Sequence, residues 1–145
     1  MDVLNTAILR ILQKNARISN KDIAEMVHVT PPVITSRIKK MEEKNIIIGY
    51  RCVVNAKELG KALMARINIK ATSEKREKLV EALSKSEKVV SYEHVTGSYS
   101  MSIKVLTKDM KELEVMISKL QKFGTTETLL ILSNNMADEL IYTLD

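Results

Sequence analysis

The hydrophobic period of this chain changes once, near Asn45, and that change dictates a fold in two parts. Before it, apolar residues recur at the spacing that gives a helix one buried stripe. After it they alternate, as in a strand with one buried face. The 145 residues suffice for one ordinary domain or two small ones, and not for an enzyme with separate cofactor and substrate halves.

Composition sets the class. Hydrophobic residues at 45% and charged residues at 28% describe a globular chain and exclude a disordered one. The single cysteine, Cys52, excludes a disulfide framework and a zinc site built from several thiolates. Asp2 stands where a secretory signal would be cationic. Apolar runs such as Leu129 to Leu132 are far below the roughly 20 residues that span a bilayer. The expectation is a cytoplasmic protein with no membrane partner. A net charge of +5 permits an anionic partner without demonstrating one.

In the first part, Leu4, Ile8, Ile11 and Leu12 mark one face of a helix over Met1 to Gln13, which ends at Asn15-Ala16-Arg17. Ser19 and Asp22 have the spacing of a capping box and open a second, short helix carrying Ile23, Ala24 and Val27. Thr30 is placed to cap a third, with Pro31 at its first position, where a missing N–H costs nothing. Ile34, Ile38 and Met41 form its buried stripe, and Asn45 suits a left-handed C-cap. Two short helices joined by a tight turn at His28-Val29 make a helix-turn-helix pattern, with the motif at about residues 20–39 of a domain over residues 1–50.

A helix that reads a major groove buries one stripe and leaves the opposite one free. At 100° per residue, Pro32, Ser36 and Lys39 point outward, flanked by Thr35 and Lys40. Small side chains let the helix enter the groove, and lysines reach phosphate or guanine acceptors. Arg37 lies on the flank, as a phosphate contact or as an internal ion pair. Ser19, Asn20, Thr30 and Pro31 complete the candidate DNA-binding set. The first 50 residues hold eight basic and five acidic residues, a modest surplus. Duplex DNA is the expected partner. The alternative is a ligand-sensing or oligomerisation module whose trihelical head binds protein.

The second part begins with a linker strand over Ile46 to Val54 and a hinge over Asn55 to Gly60, a linker placed at residues 51–61. A strand follows, with Leu63, Ala65, Ile67 and Ile69 on its buried face. Ser73 to Lys85 reads as a helix. Val89 to Thr96 and Tyr99 to Thr107 are strands around a turn at Gly97-Ser98, and Asp109 to Lys122 is a helix with Met110, Leu113, Ile117 and Leu120 inward. Thr126 to Ser133 is expected as a core strand, and Met136 to Leu144 as an edge strand or short helix. The order β-α-β-β-α-β over residues 62–145 is the split βαβ arrangement of ferredoxin-like sandwiches, so the whole chain is α+β. The sheet face without helices is expected to meet an apolar partner, a second copy of the chain.

The run Ile8 to Ser19 resembles the opening of Lrp/AsnC (feast/famine) transcriptional regulators. The likeness continues through Asp22-Ile23-Ala24, Thr30-Pro31-Pro32-Val33, Arg37 to Glu42 and Ile46-Ile47-Ile48-Gly49-Tyr50, then Gly60 and the loop Val95 to Tyr99. It covers essentially the whole chain. It implies a winged or simple helix-turn-helix domain, a ferredoxin-like domain for dimers that assemble to an octamer, and an amino-acid or related effector bound between subunits. The effector residues it implies are Gly97, Ser98, Tyr99 and Ser100, with Thr126 and Thr128 from a neighbouring subunit. The chain departs from the family at Asn45, usually Gly, and at Ser100, commonly Asp. Gly97-Ser98 also reads simply as a hairpin turn.

Other chemistry is not encoded. His28 and His94 lie in different domains with no second ligand at helical spacing, so neither a metal nor another cofactor is expected. No phosphate loop and no nucleophile–base pattern occurs, and an enzyme is not expected.

Overall fold

The computed structural model describes residues 2–133, which form two compact units, one running to Val53 and the other from Val54. Each encloses its own core. The expected element at Met136 to Leu144 lies outside the described residues.

The first unit contains α1 (Val3–Lys14), α2 (Asn20–Met26) and α3 (Pro31–Glu43). Ile8, Ile23, Ala24, Ile34 and Met41 are buried at its centre. The Ser19 hydroxyl accepts the Asp22 N–H at 3.1 Å and donates to the Asp22 carboxylate at 2.7 Å, tying off the start of α2. Both α2 and α3 end in a Schellman turn on a non-glycine residue. After α3, Asn45 has φ 54°, and the N–H groups of Asn45 and Ile46 bond the carbonyls of Glu42 and Met41. After α2, His28 has φ 55° and Val29 N–H reaches the Ala24 carbonyl. That second turn fixes the tight bend between the helices.

Two expectations need correction here. Thr30 occupies the N-cap position of α3, but its side chain makes no capping bond. Pro32 removes the second helical N–H, and the Val33 N–H goes to the Thr30 backbone carbonyl at 3.0 Å, so no first-turn donor is left for the hydroxyl. Nor is Ile46 to Val54 a strand in the single chain. The Ile46 and Ile47 amides both turn back to the Met41 carbonyl, and among the described residues no neighbouring strand supplies ladder bonds.

The second unit runs β1 (Leu63–Ala71), α4 (Ser73–Ser84), β2 (Val89–His94), β3 (Met101–Thr107), α5 (Met110–Leu120) and β4 (Gly124–Leu130). Its sheet has the order β2-β3-β1-β4 and is antiparallel throughout, the ferredoxin-like arrangement. Ala65, Ile67 and Ile69 of β1 oppose Val105, Ile103 and Met101 of β3, and all six are buried beneath Leu79 and Leu83 of α4 and Leu113, Met116 and Leu120 of α5. Asp109 caps α5 by accepting the Glu112 N–H at 2.8 Å.

Here too the structure differs from the reading. Residues 95–100 form a loop, so β2 stops at His94 and β3 starts at Met101. Met110, the first residue of α5, is exposed and Met116 takes the buried position. Among the described residues β4 is an edge strand paired only to β1, with Leu129 and Leu130 exposed, and not a core strand. Its start is pressed so tightly on β1 that a side chain at Gly124 would meet the Lys70 carbonyl oxygen at 2.1 Å.

The face without helices is not the apolar surface expected. Register puts Arg66 opposite Lys104, Asn68 opposite both Ser102 and Glu127, and Glu93 opposite Ser102. Polar side chains thus fill the middle of that face, and apolar Met64 and Leu106 pair toward one end. An even-numbered position on β1 selects this face, and three of its four residues there are polar: Arg66, Asn68 and Lys70.

Candidate DNA-reading helix and effector loop

The outward stripe of α3 is free. Pro31, Pro32, Thr35, Ser36, Lys39 and Lys40 are exposed, whereas Ile34 and Met41 are buried against α1 and α2. Lys39 lies 3.9 Å from Glu43 in an exposed i, i+4 pair, which holds it too weakly to compete with a phosphate. Thr35 is held differently. Its hydroxyl donates to the Pro31 carbonyl at 3.1 Å and accepts the Asn20 side-chain amide at 3.0 Å. Asn20, at the start of α2, thereby fixes the first turn of α3. Both residues were legible as candidates, but their bond to each other was not.

Of the two readings left open for Arg37, the structure shows the internal ion pair. Its guanidinium donates to the Asp2 carboxylate and, at 3.1 Å, to the Asn5 side-chain oxygen. Asp2 is also the N-cap of α1, accepting the Asn5 N–H at 2.7 Å. That backbone bond, and then Arg37, hold the Asp2 carboxyl below its ordinary pKa. Arg37 therefore ties α3 to the start of α1. The Ser19 hydroxyl is engaged in capping, and Thr30 remains exposed.

At the far side of α3, the Tyr50 hydroxyl donates to Glu42 at 2.8 Å. Burial, then Glu42, push the Tyr50 phenol up to about 12. No spacing rule pointed to this contact.

In the second unit, Gly97 has φ +111°, a conformation natural to glycine, and Gly97 and Ser98 are exposed at the turn between β2 and β3. Ser100 is a brace. Its hydroxyl accepts the Ala71 N–H at 3.0 Å and donates to the Ile69 carbonyl at 3.1 Å, securing the loop to the end of β1. Tyr99 lies beside Glu127, which accepts from the Asn68 side-chain amide at 3.0 Å. Thr126 and Thr128 are not brought to this loop from within the chain. They pair with Ile69 and Ile67 and so face the helices, whereas Tyr99 meets Glu127 on the opposite face. Glu127 was missed in the sequence, although its neighbours were named. Among the described residues no cluster of His, Cys, Asp or Glu is placed to hold a metal ion, and no helix is long and apolar enough to cross a membrane.

Residues 1–48 match the winged helix-turn-helix DNA-binding family and residues 63–140 the Lrp/AsnC ligand binding domain. The first match selects DNA over protein as the target of the trihelical head, and the described first unit contains helices only. The regulatory protein AsnC of Haemophilus influenzae is 34% identical over 139 residues, spanning 92% of this chain and 93% of that protein. The structure of Escherichia coli AsnC superposes with a TM-score of 0.82 at 32% identity, covering 99% of this chain and 97% of that one. A transcriptional regulator of Neisseria meningitidis, solved as a complex with L-Met, shares the fold with a TM-score of 0.87 at 21% identity, over 99% of this chain and 94% of its own. A helix-turn-helix with an open outward stripe, joined to a sheet of ferredoxin-like order and matched along nearly its whole length, places the chain in the Lrp/AsnC family of transcriptional regulators.

Proposed function

We propose that α3 is the recognition helix of a sequence-specific regulator acting in the cytoplasm. Pro32, Thr35, Ser36, Lys39 and Lys40 face the major groove, and Ser19, Asn20, Thr30 and Pro31 line the approach. One observation carries this reading: Pro32, Ser36 and Lys39 are exposed opposite the buried stripe of α3, with Thr35 and Lys40 exposed beside them. Arg37 contributes by holding α3 in place. The residues from Val54 onward assemble the chain into dimers and then a higher oligomer, taken as an octamer. The unpaired segment over Ile46 to Val54, with Ile48 and Val53 exposed, supports pairing with a second copy. The effector is an amino acid or related metabolite at the Gly97 to Ser100 loop, at a subunit boundary that a neighbour's Thr126 and Thr128 would complete. The L-Met complex of the meningococcal regulator supports that ligand class.

Operator binding followed across a salt series tests the reading. Lys39→Ala should lower affinity on all duplexes alike and reduce the salt slope by about one. Thr35 or Ser36 substitutions should instead change preference among duplexes, by about 1–3 kcal/mol per altered base contact. Normal operator binding by the Thr35/Ser36/Lys39 triple alanine variant would remove α3 from the interface.

A further inference from the structure

On the open face of the sheet, two glutamates are held in contrasting ways. Glu93 lies 3.6 Å from the Arg66 guanidinium and accepts from Ser91 at 3.0 Å, so its charge is matched. Glu127 accepts from the Asn68 amide at 3.0 Å, a neutral donor, with the uncharged Tyr99 phenol beside it. Among the described residues it forms no ion pair. The chain of bonds that orients it is continuous: Arg66 donates to Ser102 at 3.1 Å, Ser102 to Asn68 at 2.9 Å, and Asn68 to Glu127. The outcome is an exposed carboxylate in a fixed orientation, with lone pairs left over and, among the described residues, no cation paired to them.

Its position gives that charge a use. Asn68, which holds Glu127, adjoins Ile69, whose carbonyl accepts the Ser100 N–H at 3.0 Å, so Glu127 lies at the strand end to which the loop with exposed Gly97 and Ser98 is fastened. Backbone amides at such a turn suit a carboxylate. No side chain of the loop can match a cation by charge, since Thr96, Ser98, Tyr99 and Ser100 are all uncharged and the Ser100 proton is committed to backbone carbonyls. We propose that Glu127 is the acceptor for the α-ammonium group of an amino-acid effector, with the effector's carboxylate at the Gly97-Ser98 turn. The ligand class is then a zwitterion with a free primary ammonium. This rests on the effector reading above and adds to it the residue that selects the ammonium.

The test uses the full-length protein. The standard amino acids are screened by thermal shift, since a ligand of the folded state raises apparent stability. Calorimetry then compares each binder with its desamino analogue, the same acid lacking the amino group. Glu127→Gln keeps the shape and an oxygen for Asn68 while removing the charge. It should weaken amino-acid binding roughly tenfold or more, the range expected for a lost charged hydrogen bond, and leave the desamino analogue unaffected. Glu127→Asp should retain the preference for the amino acid. Unchanged amino-acid affinity in Glu127→Gln, with wild-type binding established, overturns the assignment of Glu127 alone. Equal loss for amino acid and analogue, or a change in assembly state by sizing, makes Glu127 structural and also overturns it. Failure of every amino acid to bind the wild-type protein overturns the effector reading beneath it.

Discussion

Ile34 is the residue on which α3 hangs, and replacing it with alanine should separate the two halves of the protein functionally. The side chain is fully buried, packed with Ile8, Ile23, Ala24 and Met41. Ile34→Ala removes three buried carbons, a transfer loss of roughly 2.4 kcal/mol at about 0.8 per methylene. The unfilled space adds a cavity term, bringing the cost to about 3–4 kcal/mol, within the range of about 2–5 known for such truncations. A unit of this size carries only about 3–8 kcal/mol at about 0.05–0.15 per residue, so most of its stability is lost. The second core, built on Ile67 and Ile103, contains none of these side chains. Circular dichroism should therefore show an early helical transition followed by one near the wild-type temperature. Fluorescence anisotropy should show operator binding lost, while sizing shows assembly retained. A single transition shifted as a whole, or loss of assembly together with DNA binding, would refute the claim that each unit stands on its own core.

Gly124→Ala should cost about 1–3 kcal/mol, as overpacking does, because the new methyl meets the Lys70 carbonyl backbone and no flexible side chain can yield. Urea denaturation beside a Thr125→Ala control measures it, and a change of only a few tenths would show that β4 shifts freely. Tyr50 should titrate near 12 in the phenolate absorbance, against about 10 in the unfolded chain. Its folded pKa is raised, so its contribution to stability is complete below about pH 10 and lost as pH rises toward 12. Glu42→Gln should bring the midpoint down, and an ordinary Tyr50 titration in the wild-type protein would contradict the contact.

What the sequence disclosed and what it withheld divide along a physical line. Periodicity located all five described helices, and the buried faces of α3 and β1, because burial on one face imposes its own spacing on Ile34 and Met41 or on Ala65, Ile67 and Ile69. Local chemistry was equally legible where a single turn satisfies it, as at Ser19-Asp22 and Asn45. Thr30 shows the limit of that reasoning, since the residue type favours a cap but two following prolines leave it no donor. Ile46 to Val54 shows another. Its composition suits a strand, yet a strand exists only where a second one supplies ladder bonds.

The contacts that matter most for function join residues far apart in the chain, and these were invisible. Arg37 meets Asp2 across 35 positions and Asn68 meets Glu127 across 59, each fixed by packing or register and by no local pattern. Strand parity carries the same consequence for the effector site. Thr126, Glu127 and Thr128 are consecutive, but the pleat sends Glu127 to the face of Tyr99 and the two threonines to the other. A set built from neighbours in sequence therefore draws on both faces of β4. The threonines meet an effector held by this loop only if they belong to another subunit, whereas Glu127 meets one held by its own. A mixed oligomer of Thr126→Val and Glu127→Gln chains separates the cases. Binding restored in the mixture relative to both the Thr126→Val and the Glu127→Gln homo-oligomers would mean that the two groups act across the subunit boundary. No restoration would place both contributions in one chain, against the register seen here.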